Sequence, residues 1–227
     1  MEAVVAGGSR VAVGESMPHL VLLGDSIFDN ASYTAGGPAV IDQVRALAPP
    51  GWRASLLAID GSVADDVARQ AGRIPADATH LVLSAGGNDA LRESSIIETR
   101  VSSAGEAMGL LANVADTFGR SYRQAVEACL RPELPLALCT IYNGCFPDLI
   151  FQRVASVAVM VFNDAIIRTA IENALPVIDL RAICSAPEDY ANPIEPSSVG
   201  GERIARAIVA LVTGAAPLAH RAYIVSR

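Results

Sequence analysis

Five short apolar runs punctuate the chain, at residues 19–23, 53–59, 80–84, 136–141 and 176–180, each bounded by turn-forming residues. Their length and boundaries predict buried strands rather than helices. Between them, apolar positions recur with helical spacing over residues 62–73, 104–130, 151–174 and 199–213. Strands that alternate with helices of this length require right-handed crossovers and a parallel sheet covered on both faces. The predicted fold class is therefore α/β, a three-layer α/β/α doubly wound sheet of five parallel strands. Residues 93–105 lack either period and read as a loop that could serve as a lid.

In such a sheet the ligand crevice lies outside the carboxyl ends of the strands. The residues just after each run are accordingly the candidates for chemistry. They include Gly24-Asp25-Ser26, Asp60-Gly61, Gly86-Gly87-Asn88-Asp89, Tyr142-Asn143 and the long segment 181–198.

Composition narrows the partners. With 227 residues, 52% of them apolar, residues 18–227 can bury one core and read as one domain. Residues 1–17 read as a disordered extension, with Met17 as an alternative start. A net charge of −7 without a basic stripe argues against nucleic acid. No apolar stretch is expected to span a membrane, and residues 1–17 do not resemble a secretory signal, so the expected location is cytoplasmic. Cys129, Cys139, Cys145 and Cys184 form no C-x-x-C pair and read as reduced thiols. Neither a metal nor a cofactor is expected, and no oligomeric state is assigned.

Ser26 follows a glycine at a strand end, where a sharp turn can present its hydroxyl and the adjacent amides to the crevice. Gly61 offers an unshielded N–H, and Asn88 an amide; with the Ser26 N–H they can form a three-donor oxyanion hole. These blocks resemble the SGNH/GDSL hydrolase family: Gly24-Asp25-Ser26 its nucleophile block, Gly61 its isolated glycine, and Gly86-x-Asn88-Asp89 its asparagine block. The resemblance covers residues from about 20 to 211. It implies the strand order 2-1-3-4-5, Ser26 as nucleophile, and Ser26, Gly61 and Asn88 as the oxyanion hole. It further implies an esterase acting on a small-molecule ester.

The last block departs from the family. Where an Asp and, three residues later, a His would stand before the final helix, this chain has Asn192 and Glu195. His19 and His80 open their strands, at the far edge of the sheet, and His220 follows the last predicted helix. Glu195 is thus expected at the base position with Asn192 or Asp189 orienting it, and with an acidic pH optimum unless burial raises its pKa. Two other roles stay open: a loop carboxylate that caps the last helix or meets Arg203, leaving a pocket without turnover, and an oxygen-ligand metal site using Asp25, Asp29, Asp60 and Asp89. Candidate substrate contacts are Ile27, Phe28, Asn30, Leu91, Tyr142 and Phe146, and the few aromatics among them suggest an acetyl-sized acyl group.

Overall fold

The computed structural model describes residues 17–215, together with Ala222 and Ile224. The expectations for the N-terminal extension, Met17 apart, and for His220 lie outside the described residues. In chain order the elements are β1 (His19–Gly24), α1 (Val40–Leu47), β2 (Arg53–Leu56), α2 (Val67–Ala71), β3 (His80–Ser84), α3 (Gly87–Arg92), α4 (Ala104–Leu130), β4 (Leu136–Cys139), α5 (Leu149–Glu172), β5 (Val177–Ile178), α6 (Leu180–Ile183) and α7 (Ser198–Val212). The five strands are parallel and ordered β2-β1-β3-β4-β5. This is the doubly wound α/β sheet that the alternating pattern predicts.

The period of two along β1 divides the core. Leu20 and Leu22 face one layer, where Val40, Val44, Ile204 and Ile208 bring in α1 and α7. Val21 and Leu23 face the other, where Tyr122, Val126, Phe162 and Ile166 bring in α4 and α5. Both faces of β1 are buried, as a central parallel strand requires.

Several boundaries differ from expectation for local reasons. β2 ends at Leu56 rather than residue 59 because Leu57 and Ala58 both donate to the Leu22 carbonyl, which breaks the ladder. β4 stops at Cys139 because the side chain of Asn163 takes over both the N–H and the carbonyl of Ile141. β5 is two residues long, since Asp179 turns the chain and caps α6. The helix expected from residue 62 begins at Val67 after a 3-10 turn, Ala64–Asp66. Residues 93–105 are not wholly irregular, for a 3-10 helix occupies Ser94–Glu98.

Helix α5 corrects the expectation about apolar stretches. By length and composition alone it could cross a membrane, with a mean hydropathy of 1.6 over 18 residues, 33% of that window being buried. Phe162, Ile166 and Ala170 form its inward face, while Leu149, Ile150, Val154 and Val157 lie exposed.

Candidate active site

The turn after β1 is built so that only glycine fits its start. Gly24 has a φ of +125°, and a Cβ there would lie 1.6 Å from the Ser84 carbonyl oxygen. The buried amide of Gln70 accepts from the Gly24 N–H and donates to its carbonyl, at 2.8 Å each, completing the backbone bonds that the turn interrupts. The Phe28 and Asp29 N–H groups both donate to the Asp25 carbonyl, and Asp25 Oδ1 accepts from the Ile27 N–H. Among the described residues no acceptor meets the Ser26 N–H.

The loop before α7 is equally fixed. Ala191 N–H donates to the Glu195 carbonyl, Tyr142 Oη to the Ile194 carbonyl at 2.6 Å, and Asn30 Nδ2 to the Pro196 carbonyl. Within this frame Ser26 Oγ donates to Glu195 Oε1 at 3.1 Å. Glu195 is 6% exposed, and its Oε2 has no hydrogen-bond partner among the described residues.

The expected support for that carboxylate is not what forms. Asn192 Oδ1 instead accepts from the Ile194 and Glu195 N–H groups, a turn that holds the backbone rather than the acid. Asp189 is committed to Ser185 N–H, Ala186 N–H and Arg203, so neither Asp189 nor Arg203 reaches Glu195. The cap of α7 is Ser197, which excludes that role for Glu195. His19 bonds Ser55 and Asp77, and His80 bonds Thr79 and stacks near Trp52, so neither supplies an imidazole.

Two further candidate donors are Asn88, which lines the same cavity as Ser26, and Gly61. Asn88 Nδ2 gives one hydrogen to the Ser62 carbonyl at 2.9 Å, which orients the amide and leaves its second hydrogen available. Gly61, at a φ of +78°, opens onto free space on its Cβ side, and its N–H has no acceptor among the described residues.

Burial tunes both acids in the cleft. Desolvation pushes Glu195 up to about 7, against the lowering effect of the Ser26 hydrogen bond, and the charge of Asp60 adds to the rise. Asp25, 2% exposed, is pushed up to about 8, chiefly by desolvation and secondarily by the Glu195 charge. Asp89 is raised by desolvation while its Oδ2 accepts from Ala64 N–H, anchoring the first turn of α3, which carries Asn88.

Ser26, Asn88 and Glu195 open onto an apolar cavity of about 120 Å³, with Ile27, Leu91, Tyr142 and Phe146 also in its lining. Phe28 and Asn30, expected as substrate contacts, are not there. Phe28 is fully buried in the layer under α1 and α7, and Asn30 is a strut between Val40 N–H and Pro196. Gly61 and Asn192 stand outside the lining. Sequence reasoning missed Ile96, Ile97, Leu111 and Phe162, which form much of the wall. Helical periodicity marks Leu111 and Phe162 as inward-facing but cannot separate a cavity wall from the core. Among the described residues no three His, Cys, Asp or Glu side chains gather as a metal site.

Solved structures share this architecture at low identity. A lipase from a goat rumen metagenome, Lip_vut3, superposes with a TM-score of 0.65 at 18% identity, covering 85% of this chain and 96% of its own. Phospholipase A1 from Streptomyces albidoflavus NA297 gives 0.63 at 14%, covering 88% and 100%, and the acetyl xylan esterase AlAXEase gives 0.62 at 17%, covering 86% and 99%. Among curated protein sequences none matches this one. The profile of the GDSL-like lipase/acylhydrolase family matches residues 22–200, across the Ser26 turn, the first turn of α3 with Asn88 and the Glu195 loop, and the chain belongs to that family.

Proposed function

We propose that this protein hydrolyses carboxylic esters through an acyl-enzyme on Ser26, with Glu195 as general base. The observation that carries the reading is the 3.1 Å hydrogen bond from Ser26 Oγ to Glu195 Oε1 at the mouth of an apolar cavity. As Ser26 Oγ adds to the ester carbonyl carbon, its proton passes to Glu195. The carbonyl oxygen becomes an oxyanion, received by the Ser26 and Gly61 N–H groups and by Asn88 Nδ2. Collapse of this intermediate expels the alcohol, which takes the proton from Glu195 and leaves the acyl group on Ser26. Water then attacks that ester, Glu195 accepts its proton and returns it to Ser26 Oγ as the intermediate collapses, and the carboxylic acid departs. Asn192 acts as a positioning residue, through the backbone of Glu195.

The cavity favours an acyl group larger than acetyl. An apolar cavity of about 150 Å³ holds a benzene molecule. The volume of about 120 Å³ beside Ser26 is therefore suited to a short chain rather than to two carbons alone. Turnover of p-nitrophenyl butyrate by the wild type and by Ser26→Ala tests the mechanism. The expected loss is at least about 10³-fold, and equal rates would end the idea.

A second reading, a pocket that binds without turnover, draws on the unpartnered Glu195 Oε2 and the absence of an orienting side chain behind it among the described residues. Glu195→His separates the two. Lost activity favours a working glutamate, whereas a gain from almost nothing favours a silent site.

A further inference from the structure

On the far side of the cavity wall lies a second groove, of about 550 Å³, open to solvent between the 3-10 helix Ser94–Glu98 and the first turns of α4 and α5. Ile96, Ile97, Leu111 and Ala158 line both spaces, so one layer of side chains separates the groove from the cavity beside Ser26. The groove itself is apolar, its lining including Val101, Leu110, Val154 and Val157, with Thr99 and Arg153 as polar members.

The α5 side of this groove runs against the usual logic of an amphipathic helix. Ile150, Val154, Val157 and Ala158 recur at helical spacing on the face turned away from the core. Ile150 is 78% exposed and Val157 54%. An exposed apolar stripe of this kind marks a binding surface, and here it meets the reactive cavity across a shared wall.

We propose that this outer groove is a distal acyl subsite. The inner cavity takes the carbons next to the ester carbonyl, and a longer chain displaces the Ile97 and Leu111 side chains to lie along Val154 and Val157. The substrate class is then an ester whose acyl chain is longer than about five carbons, the number that the inner cavity of about 120 Å³ holds at benzene's six carbons in about 150 Å³. The wall of Ile96, Ile97, Leu111 and Ala158 that the groove shares with the cavity beside Ser26 selects an acyl tail over a second protein as the occupant. The assignment of chemistry rests on the ester-hydrolase reading; the binding of an alkyl chain does not.

The experiment uses p-nitrophenyl butyrate and p-nitrophenyl decanoate with the wild type, Val154→Glu and Val157→Glu, at exposed positions where a charge is compatible with folding. The expected result is a decanoate-to-butyrate ratio of kcat/KM that falls at least tenfold in each variant. A ratio within twofold of the wild type in both overturns the subsite. Calorimetric titration of decanoate into Ser26→Ala, with and without Val157→Glu, reads the groove independently of turnover. If no ester is cleaved but Val157→Glu weakens decanoate binding tenfold, the hydrolase reading fails and the subsite stands. Were Val157→Glu instead to abolish cosedimentation with phosphatidylcholine vesicles while decanoate affinity and the chain-length ratio stayed at wild-type values, the face would serve a membrane and the proposal would fall.

Discussion

At the scale of single residues, the proposed chemistry turns on Glu195. A carboxylate at its ordinary pKa removes a serine proton poorly at neutral pH, and the sequence alone therefore points to an acidic optimum. Burial, the exception which that expectation left open, pushes the acid up to about 7. A glutamate base works only when ionised, so activity that depends on Glu195 is lost as pH falls through this value. For butyrate hydrolysis, kcat/KM should rise about tenfold per pH unit on the acid side, reach half its maximum near pH 7 and level off above pH 8. Asp25, still largely protonated at pH 7, adds little charge beside it. Glu195→Gln keeps the shape but removes the acceptor, and should cost at least about 10²-fold. A profile flat from pH 5 to pH 8, or a glutamine variant with full activity, contradicts a glutamate base.

At the scale of elements, what was legible followed from periodicity and from strand ends. Ser26, Asn88 and Glu195 were legible because a parallel sheet gathers the residues after its strands at one edge. Phe28 and Asn30 follow Ser26 just as closely in sequence, but the turn at residues 26–28 rotates Phe28 into the layer under α1 and α7. No spacing rule encodes that rotation. Helices α1, α3 and α6 went unread because they span eight, six and four residues, too few for a helical period to stand out. Helix α5 was read from its apolar run, and its start was missed by two residues because the signal lies in a cap. Asp148 Oδ1 accepts from the Ile150 and Phe151 N–H groups, and this cap fixes the turn that brings Phe151 to the inner cavity and Ile150 to the outer groove. Asp148→Ala should cost about 1 kcal/mol, which for a chain of this size lowers Tm by about 2–4 °C. Calorimetry showing no change would mean that water replaces the cap without loss.

At the scale of the whole molecule, the cleft stores acids at an energetic cost. In the unfolded chain Asp25 and Glu195 release their protons near pH 4. In the folded protein they hold them to about 8 and about 7. Between these limits the native state binds more protons than the unfolded state, so its stability falls as pH rises and the loss is complete above the folded values. Asp179, held below the ordinary carboxylate range by Arg181, acts in the opposite sense, adding stability that is lost only as pH falls below about 4. His80, lowered by burial, contributes a rise in stability that ends once pH passes its ordinary value. The slope between pH 7 and pH 8 therefore belongs chiefly to the cleft, whereas above pH 8 the thiols of Cys129, Cys139 and Cys184, held protonated by burial, add a fall of their own. Asp25→Asn retains an acceptor for the Ile27 N–H and removes the largest of these penalties, each pKa unit of which corresponds to about 1.4 kcal/mol. Urea unfolding followed by circular dichroism should show the variant gaining at least about 2 kcal/mol on the wild type between pH 5 and pH 9. Parallel stability curves for the two proteins would mean that water reaches Asp25 freely, and that the Ser26 turn does not bury a protonated acid. A gain in stability with butyrate turnover retained would separate the fold's need for this carboxyl from the reaction's.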